Sequence, residues 1–270
     1  MVYFPPCKIN IGLFVTGKRP DGYHSIESVF YPIPWNDILE IVPSTNGQSS
    51  LHTTGNTVTV DYRSNIIWKA LVLIQQQFPH VQAEMHLHKN IPSGAGLGGG
   101  SADGAFALWG LNEVFELELS VSHMHELAAQ LGSDCPFFVQ PKPTFVEGRG
   151  EIMTSHALDL KGWHIVVVHP GLHVSTEEAY SLMQPKPSGY DLHNVHLNAI
   201  EQWKDLVINA FEGPVTEMFP EIGTIKSQLY DMGAIYASMS GSGSAVYGLF
   251  RHPPVLPEWP ESYRVYSGLL

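Results

Sequence analysis

Eleven residues, Pro92-Ser93-Gly94-Ala95-Gly96-Leu97-Gly98-Gly99-Gly100-Ser101-Ala102, hold five glycines between a predicted strand and a predicted helix. Glycine allows positive φ and close backbone approach, so successive N–H groups can converge on phosphate oxygens while the following helix dipole adds attraction. The pattern is that of an anion cradle. It lacks the GK[ST] ending of a Walker loop. It contains G-x-G-x-x-G at Gly94, Gly96 and Gly99, yet no acidic residue about 20 positions on follows a second strand, which weakens a dinucleotide reading. A glycine turn without ligand is the alternative for this segment taken alone.

Other residues carry weaker signals. Lys8 stands in an otherwise apolar strand beside Asn10, and a buried ammonium asks for a carboxylate. Asp134, in Ser-Asp-Cys-Pro, reads on its own as a helix cap ahead of Pro136. His24 reads as a turn residue after Asp21-Gly22, Lys89 as a surface lysine and Asn65 as a simple N-cap. Ser240-Gly241-Ser242-Gly243-Ser244 reads as a hairpin turn between two strands. His86 and His88 alternate on one strand face without a second ligand cluster, so they are strand residues rather than a transition-metal site.

The elements that must position these groups follow from hydrophobic period. Strands are predicted over 8–16, 28–33, 37–42 and 81–88, and a helix over 65–78. After the glycine loop a helix runs over 101–115, and Ser120 or Ser122 caps another that stops at Gly132. The second half has a β-branched strand over 163–168 and a helix from Ser175 with Glu177 and Glu178 in its first turn. A helix over 219–232 and strands over 234–239 and 245–250 follow, and the proline-rich HPPVLPEWPE runs extended. The expected division is 1–155 and 156–270.

Bulk properties bound the reading. The 270 residues are 44% hydrophobic and 15% charged, an ordinary globular balance with a sizeable core. A formal charge of −12, from 14 Lys+Arg against 26 Asp+Glu, leaves no footprint for a nucleic-acid backbone and repels an anionic membrane surface. Cys7 and Cys135 are too few for a disulfide framework, and no apolar run nears the length of a membrane span. MVYFPPCKINIG does not read as a signal peptide, so the expected location is the cytoplasm.

Three separated segments resemble the GHMP kinases: PCKINIGL at 6–13, PSGAGLGGGSADGA at 92–105 and SMSGSGSAVYGLF at 238–250. Within that superfamily TGKRPDGYHSIESVF, LGSDCPFFV, EGRGE and HPGLHVST sharpen the match to members that phosphorylate a diphosphocytidyl-methylerythritol on the non-mevalonate isoprenoid route. The resemblance covers about residues 5–250. It implies an α+β fold, with a ribosomal S5 domain 2-like N-terminal half and a ferredoxin-like C-terminal half. It further implies transfer of the γ-phosphoryl of ATP to the acceptor's 2-hydroxyl, with Mg²⁺, in a monomer or weak dimer.

By the same resemblance Asp134 is the base, and Lys8 orients it and offsets charge on the phosphoryl group. Pro92 to Ala102, Lys89 and Asn65 border the nucleotide, and Ser101 is the candidate Mg²⁺ ligand. Asn10, Tyr23, His24, Tyr180, Ser240 and Gly241 line the acceptor, with His24 pairing to cytosine. The rivals are a mevalonate-type or homoserine kinase, which DGYH and the Asp134 segment oppose, and a nucleotide binder without turnover, which Lys8 and Asp134 together oppose. Two departures stand out: Ala210 follows Asn209 where the family often has aspartate, and Gly104 stands in the first helical turn where alanine is common.

Overall fold

Period-two and period-3.6 patterning resolve into twelve strands and seven α-helices in the computed structural model, which describes residues 1–56 and 61–270. The strands are β1 (Val2–Tyr3), β2 (Pro6–Lys18), β3 (His24–Asn36), β4 (Ile38–Pro43), β5 (Ser50–Gly55), β6 (Ala83–Lys89), β7 (Thr144–Gly148), β8 (Ile152–Ser155), β9 (His164–His169), β10 (Tyr236–Met239), β11 (Val246–Phe250) and β12 (Arg264–Leu269). The helices are α1 (Ile66–Gln77), α2 (Gly99–Val114), α3 (Val121–Leu131), α4 (Cys135–Val139), α5 (Thr176–Ser181), α6 (Glu212–Met218) and α7 (Pro220–Asp231).

Two compact units interleave along the chain. The first comprises 1–7, 35–93 and 98–141; the second comprises 8–34, 94–97 and 142–270.

The first unit sets helices on a sheet of order β1-β4-β6-β5, in which β4 and β6 run antiparallel and β5 runs parallel to β6. Sequence alternation on β6 follows the pleat, with Ala83, Met85 and Leu87 inward and His86 and His88 exposed. Asn65 caps α1 by accepting from the Ile67 N–H at 2.9 Å, and Ser120 caps α3 through the His123 N–H at 3.2 Å. α2 packs on α1, α3, α4 and β4. Its small residues make that closeness possible: a Cβ on Gly110 would stand 2.6 Å from Ile41 Cδ1.

The second unit holds a sheet of order β10-β11-β9-β12, antiparallel throughout. Ile165 to Val168 of β9 are wholly buried, as expected for a central strand with both neighbours paired. α7 buries Ile222, Ile225 and Leu229 against this sheet's core, which includes Val166, Val168, Ala237 and Val246. The strand order is ferredoxin-like, but between β11 and β12 an irregular proline-rich stretch stands in place of a second crossover helix. A further sheet has the order β2-β3-β7-β8.

Strands β1, β5, β7, β8 and β12 and helices α4 and α6 are additions to the elements read from sequence. Each is at most seven residues long and draws its stability from a neighbour instead of its own period.

Candidate active site

The glycine loop shows why its composition alternates. Ala95 and Leu97 are buried and anchor the segment, whereas Gly94, Gly96 and Gly98 between and beside them take positive φ of 70°, 76° and 69°. Gly98 is the left-handed residue from which α2 starts, so the helix opens without a side-chain cap and its first amides are left to other partners. At Gly96 a Cβ would stand 2.0 Å from the Ser240 carbonyl oxygen. No residue but glycine fits there.

Within the second unit a polar network closes on Gly96. The Lys8 ammonium, on β2 and 3% exposed, donates to Asn10 Oδ1 at 2.7 Å and to the Gly96 carbonyl at 3.0 Å, and lies 4.7 Å from the centre of the Phe30 ring. Ser240 Oγ donates to the same carbonyl at 2.9 Å. The Asn10 amide donates to Ser28 Oγ at 2.8 Å, and Ser28 passes the chain to the Gly12 carbonyl at 2.6 Å. Tyr247 OH donates to the Asn10 carbonyl at 2.7 Å. Asn209 holds the serine-glycine turn from below, donating to the carbonyls of Met239 and Gly241, each at 2.8 Å. Thus Lys8, Asn10, Gly96, Ser240 and Gly241 come together as one hydrogen-bonded group, buried except at the half-buried Gly96.

The DGYH turn is built by Gly22 at φ +85° and by Asp21 Oδ1 accepting from the Tyr23 N–H at 3.1 Å. It delivers His24 to the start of β3, where its ring stacks on Tyr180 with centroids 5.1 Å apart and planes at 22°. Tyr180 in turn meets Phe211 edge-on at 4.8 Å. Tyr23 is 58% exposed, with the Arg149 guanidinium 4.8 Å from its ring centre.

In the first unit Asp134 occupies the position before α4, but its carboxylate makes no capping hydrogen bond, so the cap reading does not account for it. Asn65 is the N-cap that its sequence suggests. Lys89 is not a surface residue: it is 6% exposed, and its ammonium contacts the carboxylates of Asp37 and Asp103, the latter at 2.7 Å. Burial opposes the Lys89 charge, yet the two carboxylates outweigh it and hold its pKa above the usual lysine value. Burial also pushes the Asp103 carboxyl upward, against the pull of Lys89. Ser101 hydrogen-bonds the Cys135 thiol, whose pKa burial pushes up to about 12. Among the described residues no group of three or more His, Cys, Asp or Glu is poised to hold a metal ion. A hydroxyl such as Ser101 together with phosphate oxygens and water suits Mg²⁺, which keeps much of its water and needs few protein ligands.

Sequence reasoning passed over Asp37, Asp103, Ser28, Tyr247 and Asn209 as participants. The available signal was a polar residue inside an apolar run, as in WND, INAF and SAVYGLF.

Residues 65–141 match the model of the GHMP kinase N-terminal domain and residues 193–260 that of the GHMP kinase C-terminal domain, so the class is that of the GHMP kinases. A 4-diphosphocytidyl-2-C-methyl-D-erythritol kinase of Bacteroides thetaiotaomicron is 46% identical, with 100% of each chain covered. The enzyme of that name from Cytophaga hutchinsonii is 43% identical over 94% of both chains. A solved 4-(cytidine 5'-diphospho)-2C-methyl-D-erythritol kinase superposes with a TM-score of 0.81 at 32% identity, covering 94% of this chain and 91% of that one. The chain belongs to the 4-diphosphocytidyl-2-C-methyl-D-erythritol kinase family. A homoserine kinase from Cytophaga hutchinsonii, at 15% identity and TM-score 0.67, shares the fold.

Proposed function

We propose that the chain transfers the γ-phosphoryl of ATP, bound with Mg²⁺, to the 2-hydroxyl of 4-diphosphocytidyl-2-C-methyl-D-erythritol, on the non-mevalonate route to isoprenoid precursors. The observation that carries this reading is the hydrogen-bonded group of Lys8, Asn10, Ser240 and Gly96, which ties a lysine and a serine-glycine turn to the glycine loop. Phosphoryl transfer demands positioning and charge stabilisation more than covalent chemistry, and such a group supplies both.

In this reading the loop from Pro92 to Ala102 cradles the phosphates, Asn65 and Lys89 lie on the nucleotide's side, and Ser101 is the protein ligand nearest Mg²⁺. Lys8 offsets the charge that develops on the transferred group, and Asp134 takes the proton of the attacking hydroxyl. Asn10, Ser240 and Gly241 hold the methylerythritol end, while Tyr23, His24 and Tyr180 receive the cytosine. The stacking of His24 on Tyr180 supports that assignment, because it presents the imidazole edge while fixing its plane. The halves 1–155 and 156–270 then serve as the N-terminal, nucleotide-binding domain and the C-terminal domain, a division that the two separate family matches favour. Among the described residues no helix is long and apolar enough to cross a membrane. The reading further takes the chain as a cytoplasmic monomer or weak dimer acting on small molecules.

The test is ADP release with three acceptors: the diphosphocytidyl compound, mevalonate and homoserine. Turnover only with the first supports the reading; turnover with either of the others, and not with it, overturns the acceptor. Asp134→Asn should leave ADP binding intact and reduce kcat by about 10²–10⁴-fold. His24→Ala should raise KM for the cytidine substrate well above any change in KM for ATP, and equal changes would remove cytosine recognition.

A further inference from the structure

The glycine loop is short of side chains, so its aim depends on what fixes its two ends. Both ends meet one buried charge cluster in the first unit. On the β6 side, Asp37 Oδ1 accepts from the backbone N–H groups of Asn90 and Ile91 at 2.7 and 2.9 Å, immediately before the loop. On the helix side, Asp103 lies one turn into α2. Lys89, the last residue of β6, bridges the two carboxylates and lies 3.5 Å from where a Gly99 Cβ would stand, beneath the first residue of α2.

Stability alone does not explain this cluster. Two carboxylates face one ammonium, Asp37 is 0% and Asp103 2% exposed, and Asp103 Oδ1 has no hydrogen-bond partner among the described residues. An apolar trio of similar volume is usually as stable or more so, and a buried acceptor left unpaired carries a cost of its own. Direction is what the charges add. A bridge from β6 to α2 through Lys89 Nζ fixes the turn of the helix about its axis, which apolar packing against the small residues of α2 leaves less defined.

We propose that Asp103, acting through Lys89 and Asp37, is a positioning residue for the nucleotide, locking the first turn of α2 so that its free amides face the phosphates. This rests on the reading that the loop binds ATP. Asp103 touches neither substrate; it sets the angle from which the loop does.

The experiment compares the wild-type chain with Asp103→Leu and Asp103→Asn, reading ADP affinity by calorimetry, KM for ATP and for the acceptor, kcat and the melting temperature. Asp103→Leu should fold, bind ADP about tenfold more weakly and raise KM for ATP to match, with acceptor KM and kcat at saturating ATP within about twofold. Asp103→Asn keeps an oxygen for Lys89 and should recover most of the nucleotide affinity. Unchanged ADP affinity in a folded Asp103→Leu protein overturns the proposal, as does a fall in both substrates' affinities that tracks the melting temperature. Should Asp103→Leu fail to fold, Asp103→Ala, which also leaves Lys89 without that oxygen, decides: a selective weakening of ADP supports the proposal and wild-type affinity overturns it. A wild-type chain that binds no ADP refutes the ATP reading itself, an outcome distinct from either variant result.

Discussion

Two lysines, Lys8 and Lys89, are equally hidden from water, yet their surroundings differ in kind. Lys89 sits on two carboxylates, and its contacts reach the ends of the glycine loop through α2 and the residues before the loop. In its own unit Lys8 sits on an amide oxygen, a backbone carbonyl and the face of the Phe30 ring, and its contact reaches the middle of the loop at Gly96. Burial by itself therefore does not set the two cations apart. What separates them is which part of the loop each one touches.

The sharpest way to break that contrast is to make the same change twice. Lys89→Met strands two buried carboxylates and should cost about 3–5 kcal/mol of stability, seen as a large fall in denaturant midpoint. Lys8→Met should lower kcat by about 10²–10³-fold in a protein whose unfolding midpoint falls much less. If both variants lose stability and turnover in the same proportion, the distinction between the two sites is gone.

Gly96→Ala probes the loop's middle directly. A methyl group would collide with the Ser240 carbonyl at a residue held at φ +76°, so the loop must move. The expected result is a loss of more than about 1 kcal/mol of stability together with a raised KM for ATP. Normal ATP kinetics in that variant would mean that the contact between loop and turn is dispensable.

A smaller and more selective effect is expected from paired tyrosine variants. Tyr247 donates to Asn10 and Tyr236 to Val207, at 2.7 and 2.6 Å, and both rings are fully buried. Tyr247→Phe and Tyr236→Phe should each cost about 1 kcal/mol in chemical unfolding. Only Tyr247→Phe should lower kcat/KM, by a few-fold at most, because Asn10 belongs to the network around Lys8. Matching activities in the two variants would detach Tyr247 from that network.

How much of this was legible in the residues depends on the range of the interaction. Helices α1 and α3 were readable because Asn65 and Ser120 cap them locally and their apolar faces repeat on one stretch of chain. The loop was readable because positive φ at alternate positions leaves a glycine at each. The cluster was not: Asp37 meets Lys89 across 52 residues, and nothing near Trp35-Asn36-Asp37 signals that partner. Asn209 was noticed only for the alanine beside it, while its role in holding the serine-glycine turn depends on strands that follow 30 residues later. Strand β12 escaped notice because a six-residue segment becomes a strand only when β9 offers it an edge. The fold class thus came from the resemblance of separated motifs, the glycine loop from local chemistry, and the supporting residues from contacts that sequence period does not encode.

The interleaving of the two units also bears on how the protein is made. The chain changes unit five times, and the Tyr247–Asn10 bond joins residues 237 positions apart. During synthesis the strand that carries Lys8 emerges 237 residues before its tyrosine anchor. Long-range pairings of this sort close late and leave apolar strands waiting unpaired, so β2 stays exposed to misassociation until β11 has been made.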